Sequence, residues 1–143
     1  MVRAMATHVD AVETDEPRKR WVQMTRIVPK PWGHEMIFAD VPGSFSGKEL
    51  HVRAGQSLSL QYHEYKDEVL AVRSGRVLLE IGPSLDALDR IELAPGDSVH
   101  VRPGILHRTN AIEDSVVLEA STHYPDDVVR IDDRYGREGT SAP

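Results

Sequence analysis

The sequence predicts an all-β fold, a closed or double-sheet arrangement of short strands. Alternating runs recur from Phe45 onward, Gly and Pro punctuate them, and no long helical period or internal repeat competes. A chain of 143 residues has room for one core and not comfortably for two.

Residues 1–20 mix His8, Asp10, Glu13, Asp15 and Glu16 with Arg18, Lys19 and Arg20 and lack a sustained hydrophobic period. They are expected to be a flexible lead to a single domain over residues 21–143. Residues 21–28 alternate weakly and are expected to add an edge strand. Strands are then expected at Glu49–Val52, Ser57–His63, Val69–Arg73, Arg76–Ile81, Arg90–Leu93, Ser98–Val101 and Val116–Ser121. Ser74-Gly75 suits a tight hairpin, and Ala94-Pro95-Gly96-Asp97 suits a turn into the next strand. Ser84–Asp89 is read as one helical turn in a hairpin loop, and Asp126–Arg134 as a short helix or a strand.

Composition removes whole classes of function. A net charge of −6 argues against a general nucleic-acid binder, although a local basic pocket for an anionic substrate stays open. No apolar run approaches the roughly 20 residues of a membrane span, and the first twenty residues lack the apolar stretch of a signal peptide. A cytoplasmic, non-membrane protein is expected. With no cysteine, disulfides, thiolate ligands and cysteine nucleophiles drop out.

The chemistry concentrates in two motifs. Gly55, Gln61-Tyr62-His63, Glu68 and Gly75 are followed by Gly96-Asp97, Pro103-Gly104 and His107. Gln61 and His63 stand two apart and share one face of a strand, while Glu68 and His107 come from other strands. Two imidazoles, a carboxylate and an amide oxygen form a mixed shell for a divalent first-row metal. A lone strand histidine is more often a hydrogen-bonded structural residue; His63 and His107 rise above that only together, through their spacing with Glu68. On the strand Ser57–His63 the ligand face is polar and the opposite face is Leu58, Leu60 and Tyr62. If the polar face lines a cavity, the apolar one needs cover, and a homodimer is expected on that ground.

This pattern resembles the two cupin motifs, with Gln61 in place of the first histidine. Arg102 stands at the usual first proline, and Asn110 lies one residue before the usual asparagine. The resemblance implies a cupin double-stranded β-helix, or jelly-roll, barrel. Pro31-Trp32-Gly33 with Glu35, Phe45–Arg53, Ser57–His63, Asp127-Val128-Val129-Arg130 and Tyr135-Gly136-Arg137 further resemble the type II mannose-6-phosphate isomerase domain, over roughly residues 29–137. That family is usually the C-terminal cupin of bifunctional isomerase and mannose-1-phosphate guanylyltransferase enzymes. It carries a glutamine at the Gln61 position, so the resemblance implies a zinc-type site of Gln61, His63, Glu68 and His107; iron, manganese or nickel suit the same donors.

The implied substrate is a small molecule, a sugar phosphate isomerised between aldose and ketose. Such a reaction needs a base that reaches both carbons, and His123 and Glu119 are the catalytic candidates. Lys48, Arg102, Arg130 and Arg137 are candidate phosphate contacts, Arg130 and Arg137 through the family's C-terminal pattern. Leu70 and the stretch Ala120–Pro125 depart from the family beside the expected cavity. Two other classes stay open: a non-haem metal oxidoreductase or dioxygenase, and a cupin that binds a sugar or metabolite without turnover.

Overall fold

The computed structural model describes residues 15–140 and 142–143 of the chain. Residues 1–14 of the expected lead lie outside the described residues, and Asp15–Trp21 form a short helix, α1. Eleven strands follow: β1 Arg26–Lys30, β2 Gly33–Val41, β3 Phe45–Val52, β4 Leu60–Tyr62, β5 Glu68–Ser74, β6 Val77–Gly82, β7 Asp89–Leu93, β8 Ser98–Val101, β9 Leu106–Ala111, β10 Ser115–Thr122 and β11 Val129–Asp132. They form two antiparallel sheets, ordered β1-β2-β3-β10-β5-β8 and β11-β4-β9-β6-β7. The chain changes sheet between β3 and β4, β4 and β5, and β5 and β6, then again after β7. This is the expected jelly roll.

The two inner faces enclose one apolar core. Leu50, Val52, Leu70, Val72, Val101 and Val117 from the larger sheet meet Val77, Leu79, Leu93 and Ala111 from the smaller one, with Trp32 at one end. Alternation along β5 and β10 leaves Glu68 and Glu119 on this inner side, beyond the apolar layer.

Several local expectations give way. Ser74-Gly75 does not make a hairpin, because β5 and β6 belong to different sheets and Gly75, at φ 79°, carries the corner between them. Ser84–Asp89 is a turn closed by the Ala87 amide on the Ser84 carbonyl, without helix. β2 was not expected as a strand, β9 is the separate strand expected to carry His107, and the 126–134 segment resolves to β11.

The apolar face of the ligand strand needs less cover than its pattern implied. Regular pairing in β4 covers only three residues; before it, Ser57 donates to Asn110, Leu58 packs onto the core and Ser59 lines a cavity. Leu60 is buried within the subunit. Only Tyr62 faces an open apolar groove, with Leu85, Leu106 and Ile131.

Candidate metal centre

Three acceptor atoms converge at the inner end of the barrel. Nε2 of His63 lies 3.3 Å and Nε2 of His107 lies 3.0 Å from the same oxygen, Oε1 of Glu68. One ligand atom from each residue falls within 4.8 Å of the others, and all three side chains are buried. The strands set this up. β4 pairs with β9 so that Gln61 stands opposite His107, and Glu68 begins β5 on the facing sheet.

Hydrogen bonds at the far side of each ring define the inward atoms. Nδ1 of His63 donates to the Asp127 carbonyl at 2.5 Å, and Nδ1 of His107 donates to the Ile105 carbonyl at 3.0 Å. A carbonyl only accepts, so each Nδ1 carries its proton and the neutral ring turns an Nε2 lone pair inward. Two lone pairs then face a carboxylate oxygen with no proton between them, and Nε2 of His63 has no hydrogen-bond partner. A divalent cation resolves that conflict, and the donor set of two imidazoles and a carboxylate fits one.

Gln61 reaches the same space. It lines the adjoining cavity, and its Oε1 accepts from Ser59 Oγ at 2.6 Å, leaving a second lone pair. The cavity, of about 110 Å³, is bounded by Trp32, Leu50 and Leu58 and by five basic side chains, Lys30, Lys48, Lys66, Arg130 and Arg137. Glu35, Glu119 and Asp127 are the acids on its wall. A chain of net charge −6 thus concentrates cations around one cavity.

The four expected phosphate contacts separate in space. Lys48 lines the cavity, 3.4 Å from Glu35. Arg137 lines it while held by a two-point contact to Asp133, at 2.7 and 3.0 Å. Arg130 donates from Nη1 to the Thr140 carbonyl and keeps a buried Nε without a partner. Arg102 is exposed and absent from the wall. Of the two candidate bases, Glu119 is in the cavity and His123 is not: His123 sits 2.7 Å from Asp40 and accepts from the Gly43 amide. Burial raises the Glu119 carboxyl above its ordinary value, against the pull of Lys66.

Two residues escaped the sequence reading. Lys66 is buried, 3.1 Å from Glu68 Oε2 and 3.4 Å from Glu119 Oε2. Burial alone would lower its pKa; the two carboxylates reverse that and raise it above its ordinary value. Asp127, quoted above only as part of the C-terminal pattern, organises the ligand loop: its carboxylate accepts the amides of Glu64, Tyr65 and Lys66 at 2.8–2.9 Å, while its carbonyl holds His63.

A family model described as a cupin domain matches residues 47–120, more than half of the chain. The chain belongs to the cupin family. This cupin is 31% identical over 118 residues to the xanthan biosynthesis protein XanB of Xanthomonas campestris pv. campestris, covering 78% of this chain and 24% of that protein. It is 31% identical over 120 residues to the mannose-1-phosphate guanylyltransferase ManC of Salmonella typhimurium, over 80% of this chain and 24% of that one. The cupin therefore spans about a quarter of the length of these curated relatives. Among solved structures, the capsular polysaccharide assembling protein CapF from Staphylococcus aureus superposes with a TM-score of 0.66 at 16% identity, over 82% of this chain and 34% of that one. KdgF from Halomonas sp. gives 0.60 at 21%, over 70% and 87%. At these identities the structures share the fold.

Proposed function

We propose that this cupin holds a divalent metal, zinc by its donor set, through His63, Glu68 and His107 with Gln61 alongside, and isomerises a sugar phosphate between aldose and ketose. The observation that carries the reading is a basic cavity that has His63 and Gln61 on its wall, His63 being one of the three residues whose acceptor atoms converge. Likeness to a mannose-1-phosphate guanylyltransferase and to a xanthan biosynthesis protein supports a phosphorylated sugar as the substrate class.

When bound, the metal supplies Lewis-acid polarisation of the substrate oxygens without a change of redox state. The chain's own residues supply the rest. Arg130, with its unpartnered Nε, and Lys48 bind the phosphate, and Arg137 adds positive charge from its fixed position on Asp133. Trp32 and Leu58 close the apolar side and exclude water. Glu119, whose carboxyl is raised by burial, takes the carbon-bound proton and returns it to the neighbouring carbon, while the hydroxyl proton of the substrate passes to the adjacent carbonyl oxygen. His123, held outside the cavity by Asp40, has no part in this step. The reading includes a cytoplasmic homodimer, whose interface we place on the outer face of the six-stranded sheet.

The test is anaerobic purification, elemental analysis, and an assay of fructose 6-phosphate formation from mannose 6-phosphate. The expected result is about one metal per chain and turnover that disappears, with the metal, in His63→Ala. Stoichiometric metal without turnover on any phosphosugar overturns the isomerase and leaves a metal-dependent binding or oxidative cupin. Absence of bound metal, with none taken up on addition, overturns the reading at its root.

A further inference from the structure

Lys66 is a buried ammonium two residues before a candidate metal ligand, a position where another cation should be repelled by the bound metal. The geometry says what it does there. Glu68 divides its two oxygens: Oε1 faces both imidazoles, at 3.0 and 3.3 Å, while Oε2 lies 3.1 Å from Lys66 Nζ with no hydrogen-bond partner of proper geometry. The same ammonium lies 3.4 Å from Oε2 of Glu119, a second buried carboxylate on the cavity wall. Ser121 adds only a long 3.5 Å contact to that oxygen. The Lys66 backbone is fixed independently, its amide donating to Asp127, so the side chain is delivered to the two acids from a clamped loop.

We propose that Lys66 is a positioning residue that restricts Glu68 to one ligating oxygen and keeps Glu119 out of the ligand shell. This rests on the metal reading above. Without the ammonium, two buried carboxylates would stand beside a divalent cation, and Coulomb attraction would draw Glu68 Oε2, Glu119 or both onto it. The shell would fill with protein oxygens, the coordination positions needed by substrate would close, and Glu119 would lose its freedom to accept a proton. With the ammonium in place, Glu68 would offer a single oxygen, positions for substrate would stay open, and Glu119 is kept for the cavity. Specificity of coordination is thereby obtained at a cost in metal affinity.

The experiment is a Co²⁺ titration of the metal-stripped full chain, following the visible absorption of the ion and its affinity by chelator competition. It compares the wild type with Lys66→Met, Lys66→Gln and Lys66→Arg. The two uncharged variants are expected to bind Co²⁺ about tenfold or more tightly, since a like charge beside the ion is gone. Their spectra should weaken and shift as coordination number rises. Lys66→Arg should restore the wild-type spectrum and affinity. Circular dichroism and the melting midpoint show which variants are folded; Lys66→Gln keeps a donor at the position and covers the case in which Lys66→Met does not fold. Unchanged spectra and affinity in a folded, uncharged variant overturn the proposal and leave Lys66 structural, as does weaker binding. Failure of the wild type itself to bind Co²⁺ overturns the metal reading and this inference together, and is distinguishable because it precedes any variant.

Discussion

Asp127 shows how much one side chain outside the ligand set can decide. Its carbonyl sets the tautomer of His63 and its carboxylate ties down the turn that carries Lys66. Partial burial pushes the carboxyl up, but the amides of Glu64, Tyr65 and Lys66 together with His63 lower it below the ordinary aspartate value. A depressed folded-state pKa stabilises the fold above the unfolded value and loses that contribution as pH falls through the folded one. Asp127→Asn should therefore cost about 1–2 kcal/mol at neutral pH, the modest end of a charge-assisted set because the group is partly solvated. The gap from the wild type should narrow as pH falls below about 4, where the unfolded state protonates first and the folded state follows. Urea melts from pH 7 to pH 3 check this, and a gap independent of pH would remove the charge from the explanation. The two candidate bases give a matched pair of outcomes. Glu119→Gln should lower kcat on the order of 10²- to 10⁴-fold with the metal retained, whereas His123→Ala should leave kcat as it is; metal analysis beside steady-state assays reads both.

At the scale of elements, Gly75 controls how the ligand strands meet. It turns β5 out of one sheet and into β6 of the other at φ 79°, and a methyl group there would overlap the Asp114 carbonyl and Ser115 at the start of β10. Gly75→Ala is expected to cost about 2–4 kcal/mol from the left-handed backbone and the overlap together. It should also weaken metal uptake, because β5 carries Glu68 and β10 carries Glu119; denaturant midpoints and metal content measure the two effects. The same glycine marks a limit of sequence reading. A residue with positive φ announces a turn but not which sheet the next strand joins, so a hairpin was expected where the chain crosses. β9 was expected only as the strand that carries His107, without bounds, because its inward residues, His107 and Thr109, are polar and its outward ones include Arg108 and Asn110, which leaves no apolar alternation. β2 was missed because Met36 and Phe38 point outward and Glu35 inward, the reverse of a half-buried strand. His63, Glu68 and His107 were legible because ligand chemistry and turn glycines repeat at spacings the motif requires. Lys66 and Asp127 were not, since their roles arise from a contact between loops 61 residues apart.

For the whole molecule, the outward-facing Met36 and Phe38 point to the assembly. Rows across the outer face of the six-stranded sheet run Ile27, Met36, Glu49, Leu118, Ala71 and, beside it, Gly47, Ala120 and Val69 with the Phe38 ring over Gly47. Ile27 is 64% exposed and Phe38 47%, and no described helix or sheet covers this face. The charges on it are already paired, Glu49 with Arg73 and Asp67 with His100, so a second copy would bury neither of these acids as a lone ion. Six strands about 4.8 Å apart and five or six residues long offer on the order of 500 Å², short of the roughly 800 Å² per partner of a stable interface. Trp21 and Met24, 79% and 83% exposed just before β1, would supply the remainder in a dimer. The molecule should sediment as a dimer at micromolar concentration. Phe38→Glu should yield monomers that keep their metal, while Leu85→Glu, in the groove with Tyr62 on the other sheet, should remain dimeric. A wild-type monomer would remove the partner surface, dissociation by the Leu85 substitution alone would move it to that groove, and light scattering on the three proteins decides.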